Sequence, residues 1–515
     1  MSAPSSSWPE FRTLADIVAE TARDAPARLA LNDGERFLNY AEFDRLIDRI
    51  AASLQQDGIL PRETVAICAP TSLEYVASFL GALRAGAVVA PLSPSSTPAS
   101  IAAMVQDCGA KRLFYDATTR DALTKVDPAL TRIAFDDDDA SGESFTKWLR
   151  QADVKPEPVA IAPEWTFNII YSSGTTGTPK GIEQSHFMRW LHVQRAALFG
   201  YDSEAITLIS TPLYSNTTLV SVFPTLAGGG ALVLMRKFDA RAFLALAERR
   251  RVTHTMLVPV QYRRIMALAD FDSFDLSRFR MKFSTSAPFE AALKEDIVRR
   301  WPGGLVEYYG MTEGGGTCVL VAHEFPDKLH TVGRPAEDHD IRLIDERGIE
   351  VPRGAIGEIV GHSPATMIGY HNQSGLTREA EWFDASGKRF IRTGDIGRFD
   401  ADGFLTLMDR RKDMIISGGF NIYPSDIESR LSERREIAEA AVVGVPSKTW
   451  GETPVAFVVL RAGCQADAEE LKLWVNARVG KTQRLSGLRI VENLPRSEIG
   501  KVLKRELRDA WGEAD

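Results

Sequence analysis

Apolar positions along this chain change their period from one segment to the next, and the changes describe alternating strands and helices. Residues 64–69 form a continuous apolar run of strand length. Across residues 72–85, Leu73, Val76, Leu80 and Leu83 fall three or four apart, on one helix face. Thr71 is the expected cap, and Gly86 follows the end. Residues 87–92 are apolar again. A strand, a helix and a second strand predict parallel pairing, because a helical crossover returns the chain to the same end of the sheet. The plan recurs as a strand at 208–211, a helix at 217–227, the cluster Gly228, Gly229 and Gly230, and a strand at 231–235. Two such units predict two related α/β halves.

The four acids at residues 136–139 read as a solvated loop. Residues 336–358 hold short strand-like runs broken by turn residues, so this part reads as β-rich. Near residue 410 the character changes. Arg410, Arg411, Lys412 and Asp413 form a charged cluster between apolar segments, the mark of a linker or hinge. Beyond it, strand-like runs at 441–445, 455–460 and 488–494 alternate with helical ones at 425–432 and 468–479. The expected fold is α/β. A large N-terminal domain, residues 1–410, joins two related α/β subdomains to a β-rich part. A small α+β C-terminal domain, residues 411–515, follows.

Composition narrows the function. The chain has 515 residues, 44% hydrophobic and 25% charged, an ordinary globular balance. A net charge of −8 argues against nucleic acid as the main partner. Cys68, Cys108, Cys318 and Cys464 are scattered without CxxC pairing, so neither a disulfide framework nor a zinc site is expected. The opening MSAPSSSWPEF lacks a basic segment and an apolar core, so no signal peptide is expected. No apolar run reaches transmembrane length. The expectation is a cytoplasmic protein, monomer or homodimer, without membrane insertion.

Four strings carry candidate chemistry. Residues 171–181 read YSSGTTGTPKG, where Ser172, Ser173, Thr175, Thr176 and Thr178 surround Gly174 and Gly177 ahead of Lys180. Glycines let backbone approach a ligand, successive amides and hydroxyls cradle phosphate oxygens, and a lysine adds a mobile charge. The apolar run 167–171 just upstream supports a polyphosphate loop. It is not a Walker A loop, since Pro179 precedes Lys180 and Gly181 follows it. The second string is Tyr309, Gly310, Met311, Thr312 and Glu313: a flat ring to cover a purine, a hydroxyl for phosphate, and a carboxylate for Mg²⁺. By itself it reads as a strand ending in a glycine turn. The third is Arg392, Thr393, Gly394 and Asp395, a carboxylate after a tight turn that suits two ribose hydroxyls; alone it reads as a cap. The fourth, LPRSEIGKV at 494–502, presents Lys501, which alone reads as a solvated surface charge.

In this order and spacing the strings resemble those of the adenylate-forming superfamily: acyl-CoA synthetases, adenylation domains of nonribosomal peptide synthetases, and luciferases. The resemblance runs from the first strand–helix unit to Leu507. It implies two half-reactions. A carboxylate attacks the α-phosphate of Mg-ATP, giving acyl-AMP and pyrophosphate. A thiol then attacks the acyl carbonyl, and AMP leaves. The resemblance gives the Thr175–Lys180 loop to the β- and γ-phosphates, Tyr309 to adenine, Thr312 to phosphate, and Glu313 with Thr176 to the metal. It gives Asp395 to ribose and Arg410 to ribose or phosphate. Lys501 stabilises charge during adenylation, and Lys412 is the hinge. Gly418, Gly419 and Trp450 fall on the CoA side. Acylation of Lys501 would remove its charge.

The sequence departs from the family in three places. Pro212, Leu213, Tyr214 and Ser215 stand where many members carry Pro-x-x-His, so Tyr214 shares the missing histidine's role. Thr285, Ser286, Ala287 and Pro288 replace Gly-Gly-Ala-Pro, keeping an adenine-side backbone contact but adding bulk. Residues 484–487 read RLSG, without the usual proline. By resemblance the acyl pocket lies near His186, Tyr214, Ser215, Gly314 and Gly315, the glycines leaving volume. Arg189 is the nearby candidate for a second carboxylate, yet no arginine is clearly placed for one. The expected substrate is a medium-sized, mostly apolar acid, either aromatic or phenylpropenoic or a medium-chain fatty acid. Because the chain ends soon after Lys501, the expected acceptor is free CoA. The alternatives are a stand-alone enzyme loading a carrier protein, and a nucleotide-binding regulator without chemistry.

Overall fold

A computed structural model describes residues 10–137, 142–150, 154–172, 180–410, 413–417, 420–447, 450–497 and 500–512. The described strands form four sheets. The first α/β unit forms as expected. Strands Thr64–Cys68 and Val88–Pro91 pair in parallel across helix Leu73–Arg84. The cap is Ser72 rather than Thr71: the Ser72 hydroxyl accepts from the Tyr75 amide, satisfying one open helical N–H. The second unit also forms, with Ile206–Ile209 and Ala231–Leu234 parallel across helix Asn216–Ala227.

The two units belong to different sheets, of eight and nine strands. Their helices share one apolar layer, in which Phe43, Ile47 and Ile50 meet Phe79, Leu80, Phe167, Phe223 and Leu226. Helix Tyr40–Gln56 approaches helix Leu73–Arg84 so closely that a Cβ on Gly81 would lie 2.5 Å from Ile50 Cγ2. The parallel-cored sheets, the shared helical layer, a β-rich part and a small α+β part make the α/β fold expected from the sequence.

One local expectation is extended and another changes. Asp136 and Asp137 are exposed in a loop, as expected, and Asp138 and Asp139 lie outside the described residues. Asp137 is also tied down. Its carboxylate accepts from Ser144 Oγ at 2.6 Å and from the Thr146 amide at 2.8 Å, tying the loop to the next helix. The carboxylate Asp395 does not follow a free turn. It lies inside the long strand Arg389–Phe399 of the third sheet. Between the pairs Val360↔Arg392 and Glu358↔Ile396 that strand holds extra residues, and Gly394 takes φ +70°. Such a bulge bends the strand and turns a side chain out of its normal alternation.

The fourth sheet draws all its strands from residues 415–490. Along Ile437–Ser447 and Gly451–Leu460, alternate residues face opposite ways. Val442, Ala456 and Val458 pack with Leu431 and Leu471, whereas Ala441, Val443, Val455 and Phe457 pack with Leu507. The two-residue period of a strand explains why both faces are apolar and both carry helices.

Candidate active site

Parallel strands of the nine-stranded sheet end at Ile209, Leu257 and Ser284, and its neighbour strand Gly304–Tyr309 ends beside them. The segments after these ends carry Tyr214 and Ser215, then Val258, then Ser286 to Pro288, then Gly310 to Glu313. Open α/β sheets bind ligands at this carboxyl edge, where loops converge and side chains are not consumed by strand pairing.

Tyr309 and Asp395 meet here from distant parts of the chain. The Tyr309 hydroxyl donates to Asp395 Oδ2 at 2.9 Å. Burial, and then the Asp395 charge, hold the tyrosine pKa far above its ordinary value, so it stays a donor. The bulge aims Asp395, and Thr393 Oγ1 fixes its backbone by accepting from the Asp395 amide at 3.0 Å.

Glu313 and Lys180 converge on Tyr370, which the sequence reading did not single out. Tyr370 Oη donates to Glu313 Oε1 at 2.8 Å, and Lys180 Nζ lies 5.4 Å above the ring centroid. Strand pairing brings them together. Lys180–Ser185 runs antiparallel to Thr166–Ser172, and Gly369–Tyr370 pairs with Glu183 and Ile182. The YSSGTTGTPKG string therefore links two antiparallel strands, a hairpin rather than the strand-to-helix turn of a Walker A loop. Residues 173–179 of that string (Ser173, Gly174, Thr175, Thr176, Gly177 and Thr178 among them), with Lys412, Gly418 and Gly419, lie outside the described residues, as do the side chains of Ser172 and Arg410.

Thr312 is held by its backbone. Gln184 Nε2 donates to the Thr312 carbonyl at 2.6 Å. Gln184 is itself gripped by Asn168 and Arg189. Arg189 lies buried between Phe167 and Phe223, donates to Asn168 Oδ1 at 2.9 and 3.0 Å, and has its pKa pulled down to about 9 by burial. Arg189 thus braces the Thr312 loop from inside through Nε and Nη2, while its Nη1 is buried without a partner among the described residues. Met311 packs with Ile182, Met367 and Ile391.

At the glycines expected to line the acyl pocket, the space left by the missing Cβ atoms is filled by protein. A Cβ on Gly314 would fall 2.1 Å from the Ala365 carbonyl oxygen, one on Gly315 2.9 Å from that of Gly361, and one on Gly316 2.8 Å from Ile341 Cγ1. Close approach of neighbouring backbone requires glycine here. His186 turns inward. It packs against Phe167 at 5.0 Å, lines a small cavity with Arg12, Leu14, Arg189 and Phe223, and burial pushes its pKa down to about 4. Ser215 is buried before helix Asn216–Ala227, and the Tyr214 hydroxyl is buried without a partner among the described residues.

Ser286 carries backbone strain, with φ +80°, in the region that favours glycine. Its hydroxyl shares a 2.6 Å hydrogen bond with Thr217. The strain costs about 1 kcal/mol, and the bond returns about 1 kcal/mol. Ser286→Ala, which keeps the strain and loses the bond, should lower Tm, whereas Ser286→Gly should leave it nearly unchanged. Thermal unfolding of the pair checks this; equal Tm losses would refute it. Ala287 and Pro288 continue the segment toward helix Ala291–Arg300.

Lys501 stands on a narrow hairpin closed by the Arg496↔Val502 bridge. Gly500, at φ +77°, packs so closely that a Cβ would lie 2.7 Å from Val260 Cγ1. Val260 opens helix Pro259–Met266 at the carboxyl edge described above. The hairpin thus rests on the site edge. Trp450 is 58% exposed, beside the fourth sheet's turn at Gly451. No described helix is long and apolar enough to cross a membrane.

A family profile described as AMP-binding enzyme matches residues 18–371, and one described as AMP-binding enzyme C-terminal domain matches residues 426–501. The chain is 34% identical over 500 residues to the indoleacetate–CoA ligase of Aromatoleum aromaticum, covering 94% of this chain and 95% of that protein. It is 32% identical over 515 residues to a feruloyl-CoA synthase of an Amycolatopsis species, covering 98% and 99%. The structure of the amide bond synthetase McbA from Marinactinospora thermotolerans superposes with a TM-score of 0.86 at 26% identity, covering 97% of this chain and 99% of that one.

Proposed function

The chain belongs to the AMP-binding enzyme family and is an AMP-forming acid–CoA ligase that uses ATP, and from that premise we propose that its acid is an aromatic monocarboxylate bearing an oxygen substituent. In this reading the hinge lies near Lys412, between residues 1–410 and 411–515. The adenine lies against Tyr309, and Asp395 accepts from the ribose hydroxyls. Lys180 and the loop before it meet the β- and γ-phosphates. Lys501 meets the charge that develops as the carboxylate attacks the α-phosphorus and pyrophosphate leaves. Positioned charge is the main device in such a step, because the chemistry needs alignment and neutralisation more than covalent help. Trp450, Gly418 and Gly419 attend the CoA thiol when it displaces AMP from the acyl carbonyl.

Mg²⁺ fits the donors present. Glu313 Oε1 is held by Tyr370, while Oε2 has no partner among the described residues. One carboxylate completed by phosphate oxygens and water suits this small, hard ion. Bound there, it would neutralise charge on the phosphates. Tyr370→Phe removes the donor that orients Glu313 but keeps the ring beneath Lys180. Losing a hydrogen bond to a charged group costs about 1.5–3 kcal/mol, so pyrophosphate release should slow by about tenfold or more. An unchanged rate would remove Tyr370 from the site.

His339 carries the choice of acid. Its Nδ1 accepts from the Thr317 amide at 2.8 Å, and burial pushes its pKa down to about 3, so the ring is neutral and Nε2 holds the proton. That buried N–H has no acceptor among the described residues. An unmet buried donor costs about 1–3 kcal/mol, which a ligand oxygen recovers. Ser363 Oγ and His192 Nδ1 are also buried without partners among the described residues. Ser363 lies beside the Gly314 turn, since its carbonyl accepts from Thr366 Oγ1, whose backbone bridges to Gly314. A hydroxyl or methoxyl on an aromatic ring serves such atoms; a fatty chain serves none. The names of the feruloyl-CoA and indoleacetate relatives support the aromatic class.

A carboxylate panel tests the assignment. Pyrophosphate release should be fastest with hydroxylated or methoxylated phenylpropenoates, slower with the bare ring, and slowest with octanoate. His339→Leu should erase the preference for the substituent. Strict preference for acetate, octanoate or a dicarboxylate overturns the assignment. AMP production should accelerate with CoA. If acyl-AMP forms and CoA accelerates nothing, the acceptor is a carrier protein or an amine.

A further inference from the structure

Three charged side chains meet where the fourth sheet faces the nine-stranded one. Glu439 stands on strand Ile437–Ser447, directly after the register shift between Ile437 and Glu439. Its Oε1 accepts from Arg263 Nη1 at 2.7 Å, and its Oε2 accepts from Arg496 Nη2 at 2.5 Å. Arg263 lies on helix Pro259–Met266, the helix whose start supports Gly500, and it is anchored on its other side by Glu290 at 2.7 Å. Arg496 Nη1 donates to the Gly500 carbonyl at 2.6 Å, one residue before Lys501. One carboxylate therefore joins the large part of the molecule to the hairpin that carries the lysine.

We propose that Glu439 is a positioning residue for adenylation, latching the Lys501 hairpin to the site edge through Arg263 and Arg496. The inference rests on the acid–CoA ligase reading. The two arms of the latch differ. Glu439 and Arg496 both lie beyond the proposed hinge near Lys412, so their pair shapes the hairpin wherever that hinge turns. The Arg263–Glu439 pair crosses the hinge to the large part, so a turn of the C-terminal part for thioester formation breaks it. An interaction made in only one of two arrangements shifts the balance toward that arrangement. Partly exposed arms, at 34% for Arg263 and 21% for Glu439, suit a contact that opens in each cycle, because water and salt compete for them.

The test uses the full chain with Arg263→Ala, Arg263→Lys and Glu439→Gln. Two rates are read separately: pyrophosphate release with the best acid, and thioester formation from supplied acyl-adenylate and CoA. Arg263→Ala and Glu439→Gln should slow the first by about tenfold, the scale of a loosened catalytic group, and leave the second unchanged or faster. Arg263→Lys should recover most of the loss. Salt at about 0.5 M should slow the wild-type first step more than that of Arg263→Ala. Equal loss of both rates, or no loss in the first, overturns the latch. If Glu439→Gln fails to fold, the Arg263 pair and the salt comparison still decide. A wild-type protein that releases no pyrophosphate with any acid overturns the ligase reading, and the latch with it. A working wild type whose variants match it overturns the latch alone.

Discussion

Lys501→Ala slows acid-dependent ATP–pyrophosphate exchange by about 10²–10³-fold and spares thioester formation from supplied acyl-adenylate. The size follows from losing one preorganised donor to transition-state charge, about 3–4 kcal/mol. The split follows from place. The hairpin is closed by bonds that do not use the Lys501 side chain: the Ser497 amide donates to the Lys501 carbonyl at 2.8 Å, the Lys501 amide to Ser497 Oγ at 3.2 Å, and Arg496 Nη1 to the Gly500 carbonyl at 2.6 Å. Alanine therefore removes charge without removing the loop. Rapid-quench measurement of each half-reaction checks it. Equal loss in both steps would mean that Lys501 supports the fold or both reactions, and the adenylation role would be wrong.

Acidification from pH 6.5 to 4.5 destabilises the protein by several kcal/mol, before most carboxylates titrate. Burial depresses the pKa of His186 to about 4 and that of His339 to about 3, and it also lowers His192 and His254. Neighbouring arginines push His192 and His339 further down, with His339 acting on His192 as well. Each ring is kept neutral in the folded state. The unfolded chain binds a proton near the ordinary value of about 6.5. Between the two values the unfolded state holds more protons, so stability rises with pH and is lost as pH falls. His186 alone contributes about 3 kcal/mol across its interval. His371 does not alter this. Its hydrogen bond to Glu183 raises its pKa, so its contribution is already full below pH 6.5 and fades only as pH rises through the raised value. Tm should therefore fall steadily from pH 6.5 to 4.5, and His186→Phe, next to Phe167 and Phe223, should flatten part of the slope. A Tm flat across that range would show that these rings are not buried as described.

The sequence was informative wherever a function needs neighbours in the chain. YSSGTTGTPKG, YGMTE, RTGD and the Lys501 segment were legible because turns, nests and caps are local structures. Both strand–helix–strand units were legible for the same reason, down to the cap that moved by one residue from Thr71 to Ser72. Tyr370, Gln184 and His339 were not legible, because no periodicity relates them to Glu313, Thr312 or Thr317; only strand pairing and loop packing bring them together.

The sequence by itself determined the family of chemistry and the alternation of strand and helix, and it marked the short strings proposed for nucleotide and acid. Tertiary structure decided what those strings face. The missing Cβ atoms of Gly314, Gly315 and Gly316 are a fact of sequence, but whether the space admits substrate or neighbouring backbone depends on Ala365, Gly361 and Ile341. Asp395 follows a glycine in the sequence, yet pairing on both sides turns that glycine into a bulge and points the carboxylate at Tyr309. Arg189 is an exposed-type side chain by sequence, and folding buries it against Asn168 and Gln184, leaving only Nη1 without a partner among the described residues. Local order sets conformation through sterics and hydrogen bonds a few residues apart. Partnership between distant side chains exists only once the backbone has folded around them.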